Sequence, residues 1–173
     1  MQDFCCMKFT VLKKVFGSGA PAPKNKFAFL ALLRDIEKFP PTDSLGVVLL
    51  GDIMMKENCG MMQIYITPSS QEYGYEISGE PGSKGYKTKF TGTHPGTEQQ
   101  ALEFVTNYLE EEFVILIPDC KKGVRVLGSP DAPLIFTSTH KSNKDSQKFN
   151  MVFEQDVAVD FIYRLYDGII TLN

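Results

Sequence analysis

Short runs in which apolar and polar residues alternate, each closed by turn residues, make up most of the chain. The alternation is cleanest in residues 86–90, where Tyr, Thr and Phe occupy one face and two lysines the other. A period of two residues is typical of a β-strand with one packed face and one face that meets solvent or a partner. Residues 73–77 alternate in the same way, and residues 79–85, rich in Gly and with one Pro, separate the two runs. The pattern therefore predicts a β-hairpin.

Other apolar runs predict the remaining strands. Residues 52–56 and 61–66 flank a turn that contains Asn and Gly, which predicts another hairpin. Residues 27–36 are almost continuously apolar and fit a buried strand or a short helix equally well. Residues 1–14 alternate only weakly. Further strands are expected at residues 47–50, 113–117, 124–128, 134–139, 149–154 and 157–166.

Two expectations concern the C-terminal third of the chain. Residues 140–148 are polar and carry three lysines, so they are expected to form a loop. In the last run, Phe161, Tyr163 and Leu165 are two residues apart and are expected to share one face of a strand.

One segment changes from a two-residue period to the period of a helix. Thr97 is followed three residues later by Gln100, which fits a capping box, so the predicted helix covers about residues 97–111. Its apolar residues recur three and four positions apart and form one stripe, while Glu98 and the glutamates at 110–112 are expected in solvent. The stripe consists of Ala101, Leu102, Phe104, Val105, Tyr108 and Leu109.

These elements predict a mainly β (α+β) fold. Eight to ten strands with turns about every ten residues favour an antiparallel β-sandwich or barrel with one flanking α-helix, and the lack of strand–helix alternation disfavours a doubly wound fold. Residues 17–23 are rich in Gly, Ala and Pro, so residues 1–26 are expected to be an arm or linker and residues 27–173 a single domain. This segment could be an arm that reaches a neighbouring subunit, or equally a simple surface loop.

Composition restricts the classes of function. With 173 residues the chain has the length of one ordinary domain, and its 43% hydrophobic content argues against disorder. A net charge of −3 predicts neither a nucleic-acid nor a membrane partner. No apolar run approaches the roughly 20 residues that span a bilayer, and no secretory signal is evident, so synthesis in a cytoplasm is expected. Cys5, Cys6, Cys59 and Cys120 fit neither a zinc nor a redox spacing and are expected to be reduced.

No constellation of catalytic, cofactor-binding or metal-ligating residues emerges, so the chain is not expected to be an enzyme. His94 and His140 lie beside turn residues, and no nucleophile elbow accompanies them. Residues 79–85 superficially resemble a phosphate-binding loop, but they lack its spacing and join two strands. The glutamates at 110–112 are adjacent in sequence and so diverge around a helix axis instead of converging on a metal.

With its elements in this order, the chain resembles bacteriophage tail tube proteins and their relatives in tail-completion rings and contractile injection systems. The resemblance runs from about residue 27 to residue 169 and is one of pattern, without a signature motif. It rests on residues 56–67, 76–80, 86–91, 114–118 and 125–134, and on the helix that follows Pro95 and Gly96. Proteins of that family have a β-sandwich or barrel flanked by a helix, and sheets of adjacent subunits join into a closed ring, usually of six.

The resemblance implies a virion structural protein that assembles into a ring, a hexamer or a multiple of one, in the tail tube or a head–tail conduit for DNA. Its partners would be copies of itself, adjacent tail or connector ring proteins and, without sequence specificity, DNA in the lumen. It would be made in the bacterial host cytoplasm and reside in the virion. The alternative is a monomeric β-sandwich module that binds carbohydrate through Tyr73, Tyr75 and Tyr86.

Overall fold

The structure is a computed structural model that describes residues 24–119, 123–142 and 147–172. The weak strand expected before residue 14, nearly all of the arm expected at residues 1–26 and three of the four cysteines lie outside these residues.

Twelve strands and one α-helix follow one another within the described residues. The first six strands are β1 (Phe27–Leu32), β2 (Ile36–Lys38), β3 (Val48–Leu49), β4 (Met54–Met55), β5 (Met62–Tyr65) and β6 (Glu72–Ser78). They are followed by β7 (Gly85–Pro95), the helix α1 (Gln99–Tyr108), β8 (Glu112–Asp119), β9 (Gly123–Leu127), β10 (Leu134–Ser142), β11 (Gln147–Gln155) and β12 (Arg164–Tyr166). Single 3-10 turns cover Leu33–Asp35 and Pro68–Ser70. The predicted mainly β (α+β) fold with one helix is confirmed.

Ten strands form one sheet that does not close into a barrel. Its neighbours follow the order β3-β12-β9-β8-β10-β11-β7-β6, with β1 between β8 and β5. The pairs are antiparallel except for β3 and β12, which run parallel. β2 and β4 form a separate two-stranded ribbon.

Strand β8 lies between two hydrophobic clusters, which explains its unbroken apolar sequence. Phe113, Ile115 and Ile117 enter the larger cluster, whereas Val114 and Leu116 enter the smaller one on the opposite face. Successive side chains of a strand point to opposite faces, so a strand covered on both sides needs apolar residues at every position.

Aromatic rings fill the larger cluster and fix α1 over the sheet. Phe136 lies 4.8 Å from Phe153 between ring centroids and 5.3 Å from Phe104 of α1. Tyr108, one helical turn beyond Phe104, contacts Phe113 at 6.1 Å. Each fully buried Phe stabilises the fold by roughly 1.5–3 kcal/mol. The helix therefore packs by four residues, Ala101, Phe104, Val105 and Tyr108.

The helix is shorter than expected and lacks the predicted capping box. The N-cap residue is Glu98 and no side chain caps the N-terminus, while the Thr97 hydroxyl donates to Gln147 Oε1 at 3.0 Å. At the other end, Glu110 adopts a φ of 62°, and its backbone N–H donates to Phe136 O as the chain turns into β8. Leu102 and Leu109 were expected in the packed stripe but are 50% and 53% exposed.

The hairpin predicted for residues 52–56 and 61–66 is wrong. The turn itself forms, with Asn58 at a φ of 62°, but β4 pairs with β2 and β5 pairs with β1. Pairing with β1 sets Ile64 opposite Ala28 within the larger cluster, and this burial outweighs the local hairpin. Residues 27–36, ambiguous in sequence, are mostly strand.

Two expectations for the C-terminal third are also wrong. Of the polar loop expected at 140–148, residues 140–142 and 147–148 are strand, since β10 and β11 pair as far as Ser142 opposite Gln147. Residues 143–146 lie outside the described residues. Of residues 157–166, only the last three form a strand, and the buried side chain there is Tyr166 while Leu165 is exposed. Tyr166 is held in place because its hydroxyl accepts from Ile53 N–H and donates to Ile169 O, both at 3.0 Å.

Candidate functional site

The hairpin predicted from residues 73–90 is confirmed, and most residues of β6 are exposed. β6 and β7 pair along their lengths, with Tyr73 opposite Phe90 and Ile77 opposite Tyr86. The connecting residues form a turn, because Gly79 takes a φ of 112° and a side chain there would meet Ser83 O. The likeness of this segment to a phosphate-binding loop therefore reflects the glycines that the turn requires.

The outer edge of β6 has no strand partner among the described residues, since β6 pairs only with β7. The inner face of β6 becomes more exposed toward the turn. Tyr73 packs against Tyr163 with ring centroids 5.7 Å apart, whereas Tyr75 is 48% and Ile77 62% exposed. An unpaired strand with large apolar side chains is a template for pairing with another chain.

The strands at the other end of the sheet are shorter than β6. β12 has three residues and β3 two, against seven in β6. The segment before β12 contacts β7 at two points. Val159 and Tyr86 exchange both backbone hydrogen bonds, and Thr88 Oγ1 donates to Ile162 O at 3.0 Å.

An aromatic cleft of about 550 Å³ lies between this hairpin and the segment that leads into β12. The rings of Tyr75 and Tyr86 meet edge to face at 5.2 Å on one wall. The opposite wall carries Phe161 and Tyr163, and Leu45 and Val47 form an exposed apolar rim. We call this space the aromatic cleft.

Two arginines line the aromatic cleft, in different settings. Arg125 is ion-paired with Asp119 at 2.9 Å, both side chains being largely buried, and its guanidinium carbon lies 5.7 Å from the Tyr163 ring centroid. Arg164 stacks on Phe161, with its guanidinium carbon 3.6 Å from the ring centroid. No ion pair to Arg164 occurs within the described residues, and its Nε is buried without an acceptor. Burial lowers the pKa of Arg164, and burial raises the pKa of Tyr73 beside the cleft.

The opposite face of the hairpin is polar and balanced in charge. Lys87 stands opposite Glu76, and Lys89 forms a 2.9 Å ion pair with Glu154 of β11. The hydrogen bond to Glu154 raises the pKa of Lys89. The alternation of packed and polar faces expected from the sequence is present here.

A second recess of about 640 Å³ lies between β5 and α1. The sheet comes close to closing on either side of it, where Thr67 N–H donates to Thr93 O and Met61 N–H donates to Thr171 O. Between those contacts, the side chain of His94 meets the outer edge of β5, with its Nδ1 2.8 Å from Tyr65 O. Phe104 and Ala101 of α1 cover the opening from one side.

The histidines and acidic residues considered from sequence stay apart. His94 contacts the Tyr65 backbone, and His140 lies in β10 against the ring of Phe149. Glu111 pairs with Arg34 at 2.7 Å, while Glu110 and Glu112 are exposed. In the part of the chain that the structure describes, no three His, Cys, Asp or Glu side chains are grouped closely enough to hold a metal ion.

No protein-family model, curated protein or solved structure matches this chain. Across residues 24–119, 123–142 and 147–172, no helix is long and apolar enough to cross a membrane.

Sequence reasoning identified the β6–β7 hairpin and its tyrosines but missed the aromatic cleft and the open edge. Tyr75 and Tyr86 meet there as neighbours in a hairpin, which the alternation predicts. Arg125 and Arg164 come from β9 and β12, which pair so that Arg164 lies opposite Val126. Nothing in the local sequence of either arginine indicates that they converge on one space.

Proposed function

We propose that this protein is a structural subunit that assembles with copies of itself. The observation that carries the proposal is the edge of β6, with which no strand in residues 24–119, 123–142 or 147–172 pairs, together with the exposure of Tyr75 and Ile77 on that seven-residue strand. Natural proteins usually protect such an edge with charge, Pro, a bulge or a covering element. Here the edge has two glutamates, Glu72 and Glu76, but its apolar face is open.

The biological setting we propose is a ring in a bacteriophage tail tube or head–tail conduit through which DNA passes. A closed ring satisfies sheet edges on every subunit and leaves none free, so it suits a β-rich subunit with an open edge. The resemblance in order of elements supports the same setting. The protein would then be made in the host cytoplasm, reside in the virion, contact adjacent tail or connector rings and touch DNA without sequence specificity.

Substitution of the exposed edge tests self-assembly. Ile77→Lys places a charge on the open face of β6, and Ile169→Lys is a matched control because Ile169 is 72% exposed but lies outside the sheet. We expect wild type and Ile169→Lys to elute as oligomers in size-exclusion chromatography with light scattering, and to form rings in electron micrographs. Ile77→Lys should elute at a smaller mass. Wild type that stays monomeric at high concentration contradicts the proposal.

A second candidate function is ligand binding in the aromatic cleft, for which carbohydrate is the proposed ligand. The observation that favours it is the meeting of Tyr75 and Tyr86 on one wall, with Phe161 facing them. Flat aromatic faces beside a few polar groups are typical of small-ligand sites. Tyr73 takes no part in this wall, because it packs against Tyr163.

A glycan array separates this candidate from self-assembly. Reproducible binding by wild type that is lost in Tyr75→Ala, but kept in the helix variant Leu102→Ala, supports a carbohydrate site. Leu102 is exposed to a similar extent and lies far from the cleft in sequence. Absence of binding to any glycan on the array contradicts it.

A further inference from the structure

We propose that β6 pairs antiparallel with β6 of a second copy, in a two-fold contact that sets Tyr75 opposite Tyr75 of the other copy. The inference rests on the proposed function, self-assembly, and specifies its partner, strand and register. The open edge is long enough for it, since β6 has seven residues and pairs on one side only within the described part of the chain.

The faces of the strand restrict the register. Tyr73, Tyr75 and Ile77 lie on the inner face of β6, and Glu72, Gly74, Glu76 and Ser78 lie on the outer face. Residues directly opposite each other in a sheet share a face, so a slip by one residue would set tyrosines against glutamates. Only registers in which β6 residues of equal face meet are therefore compatible with a continuous sheet.

Charge and the number of paired residues separate the remaining registers. Centring the pair on Glu76 sets the two copies of Glu76 opposite each other, and centring it on Gly74 sets Glu72 opposite Glu76 twice. Like charges directly opposite are destabilising. Centring it on Tyr75 sets Glu76 opposite Gly74 and Glu72 opposite Ser78, so no acidic residues face each other. This register also uses all seven residues of the strand.

The same register covers the apolar side chains that the monomer leaves open. Tyr73 of each copy comes opposite Ile77 of the other, and the two Tyr75 rings adjoin at the axis. Aromatic pairs and pairs of aromatic with β-branched residues are the favourable cross-strand combinations. The most exposed residue of the inner face, Ile77, thus acquires an aromatic neighbour.

A two-fold contact joins copies in pairs, because the same patch is used on both sides. Closing a ring from such pairs needs a second surface. Leu102 of α1 and Leu109, the residue directly after the helix, offer one, since both side chains are half exposed.

Site-directed cross-linking tests the register. The background protein has each native cysteine replaced by serine, at Cys5, Cys6, Cys59 and Cys120. Single cysteines are then placed by Tyr75→Cys or Ser78→Cys, and a third sample mixes the variants Tyr73→Cys and Ile77→Cys. Each sample is oxidised with copper phenanthroline and analysed on non-reducing gels. Circular dichroism checks that each variant is folded.

We expect Tyr75→Cys and the mixed sample to form covalent dimers. In the proposed register Ser78 and its counterpart are six residues apart along the paired strands, roughly 20 Å. A disulfide needs Cα atoms within about 7 Å, so Tyr75→Cys should give about tenfold more cross-linked dimer than Ser78→Cys.

The outcomes distinguish the inference from the function on which it rests. A protein that associates, yet cross-links no better through Tyr75→Cys than through Ser78→Cys, overturns the register and leaves self-assembly standing. A protein that is monomeric and gives no cross-linked species overturns both. Dimers in the mixed sample that are missing from either Tyr73→Cys or Ile77→Cys alone support the antiparallel two-fold pairing.

Discussion

The buried amide of Gln155 joins two parts of the sheet that the sequence does not link, and its removal should be costly. Gln155 lies at the end of β11. Its Oε1 accepts from Thr88 N–H at 2.8 Å, and its Nε2 donates to Ala132 O at 2.7 Å. The side chain thereby connects β7 to the turn between β9 and β10. Both hydrogen bonds are buried.

The loss in free energy of unfolding follows from the two backbone groups that no longer have a hydrogen bond to residue 155 in Gln155→Leu. Leu is similar in size but cannot hydrogen-bond, so Thr88 N–H would be buried without an acceptor, which costs about 1–3 kcal/mol. Ala132 O still accepts from Ser129 N–H at 3.1 Å, so losing the hydrogen bond from Gln155 leaves this oxygen with one partner. The loss of that second hydrogen bond adds about 0.5–1.5 kcal/mol to the cost. We expect a total of about 3 kcal/mol, and a fall in Tm of about 6–12 °C for a domain of this size.

Urea unfolding followed by circular dichroism measures this free energy. The matched control is Gln63→Leu, because Gln63 lies in β5 but its side chain is exposed. The control should change the free energy of unfolding by less than about 0.5 kcal/mol. A Gln155→Leu variant as stable as the control would refute the reasoning.

A second variant at the same position adds a dependence on pH. The carboxylate introduced by Gln155→Glu can accept from Thr88 N–H but cannot donate to Ala132 O. Burial should raise the pKa of that carboxyl above its ordinary value of about 4.3. A raised folded-state pKa gives stability that is present below about pH 4.3 and is lost as the pH rises through the folded value. The variant should therefore lie closer to wild type at pH 4 than at pH 7.

Three further predictions concern other parts of the structure. Gly92→Ala would bring a Cβ within 2.3 Å of Ile66 Cγ2. It should destabilise the protein by about 1–3 kcal/mol in urea unfolding, and no loss would contradict the packing described. Burial raises the pKa of Tyr73. The contribution of Tyr73 to the free energy of unfolding should therefore be fully present below about pH 10 and fall as the pH rises above it. Tyr73→Phe should reduce this loss of stability at alkaline pH, measured as Tm in thermal melts between pH 8 and 11. A variant whose Tm falls with pH as steeply as that of wild type would contradict the prediction. Arg125→Met removes one partner of a largely buried ion pair and should cost about 3 kcal/mol. Lys89→Met removes a half-exposed pair and should cost less than about 1 kcal/mol, so equal losses in the two variants would contradict the assignment.

Local periodicity predicted the elements whose partners are close in sequence. The β6–β7 hairpin needs only its own alternation and its turn, and β8 is recognisable because both of its faces are buried. Periodicity failed where a strand pairs with a segment that is distant in sequence. β5 has a turn before it that suits a hairpin, but its partner β1 lies 35 residues earlier, counted from Met62 back to Phe27.

The side-chain contacts of the helix and of the aromatic cleft also depend on partners that are distant in sequence. Thr97 and Gln100 have the spacing of a capping box, yet the Thr97 hydroxyl bonds to Gln147 from a strand that a local pattern cannot bring near. Phe161, expected to pack on one face with Tyr163, instead supports the guanidinium of Arg164. Packing between segments that are distant in sequence thus determines which hydrogen bonds and ring stacks form. Local spacing in the sequence shows only which of them are possible.

Tyr75 belongs to both proposed functions, so the two should compete. It lines the aromatic cleft, and the two-fold pairing would place it at the axis between two copies. A ligand that binds only the open cleft stabilises the unpaired form, and by linkage pairing must weaken its binding by the same factor. If a glycan binds the wild type, we therefore expect it to reduce the cross-linking of the mixed Tyr73→Cys and Ile77→Cys sample, in which Tyr75 is intact. Binding that leaves cross-linking unchanged would show that the β6 edge and the cleft are independent surfaces.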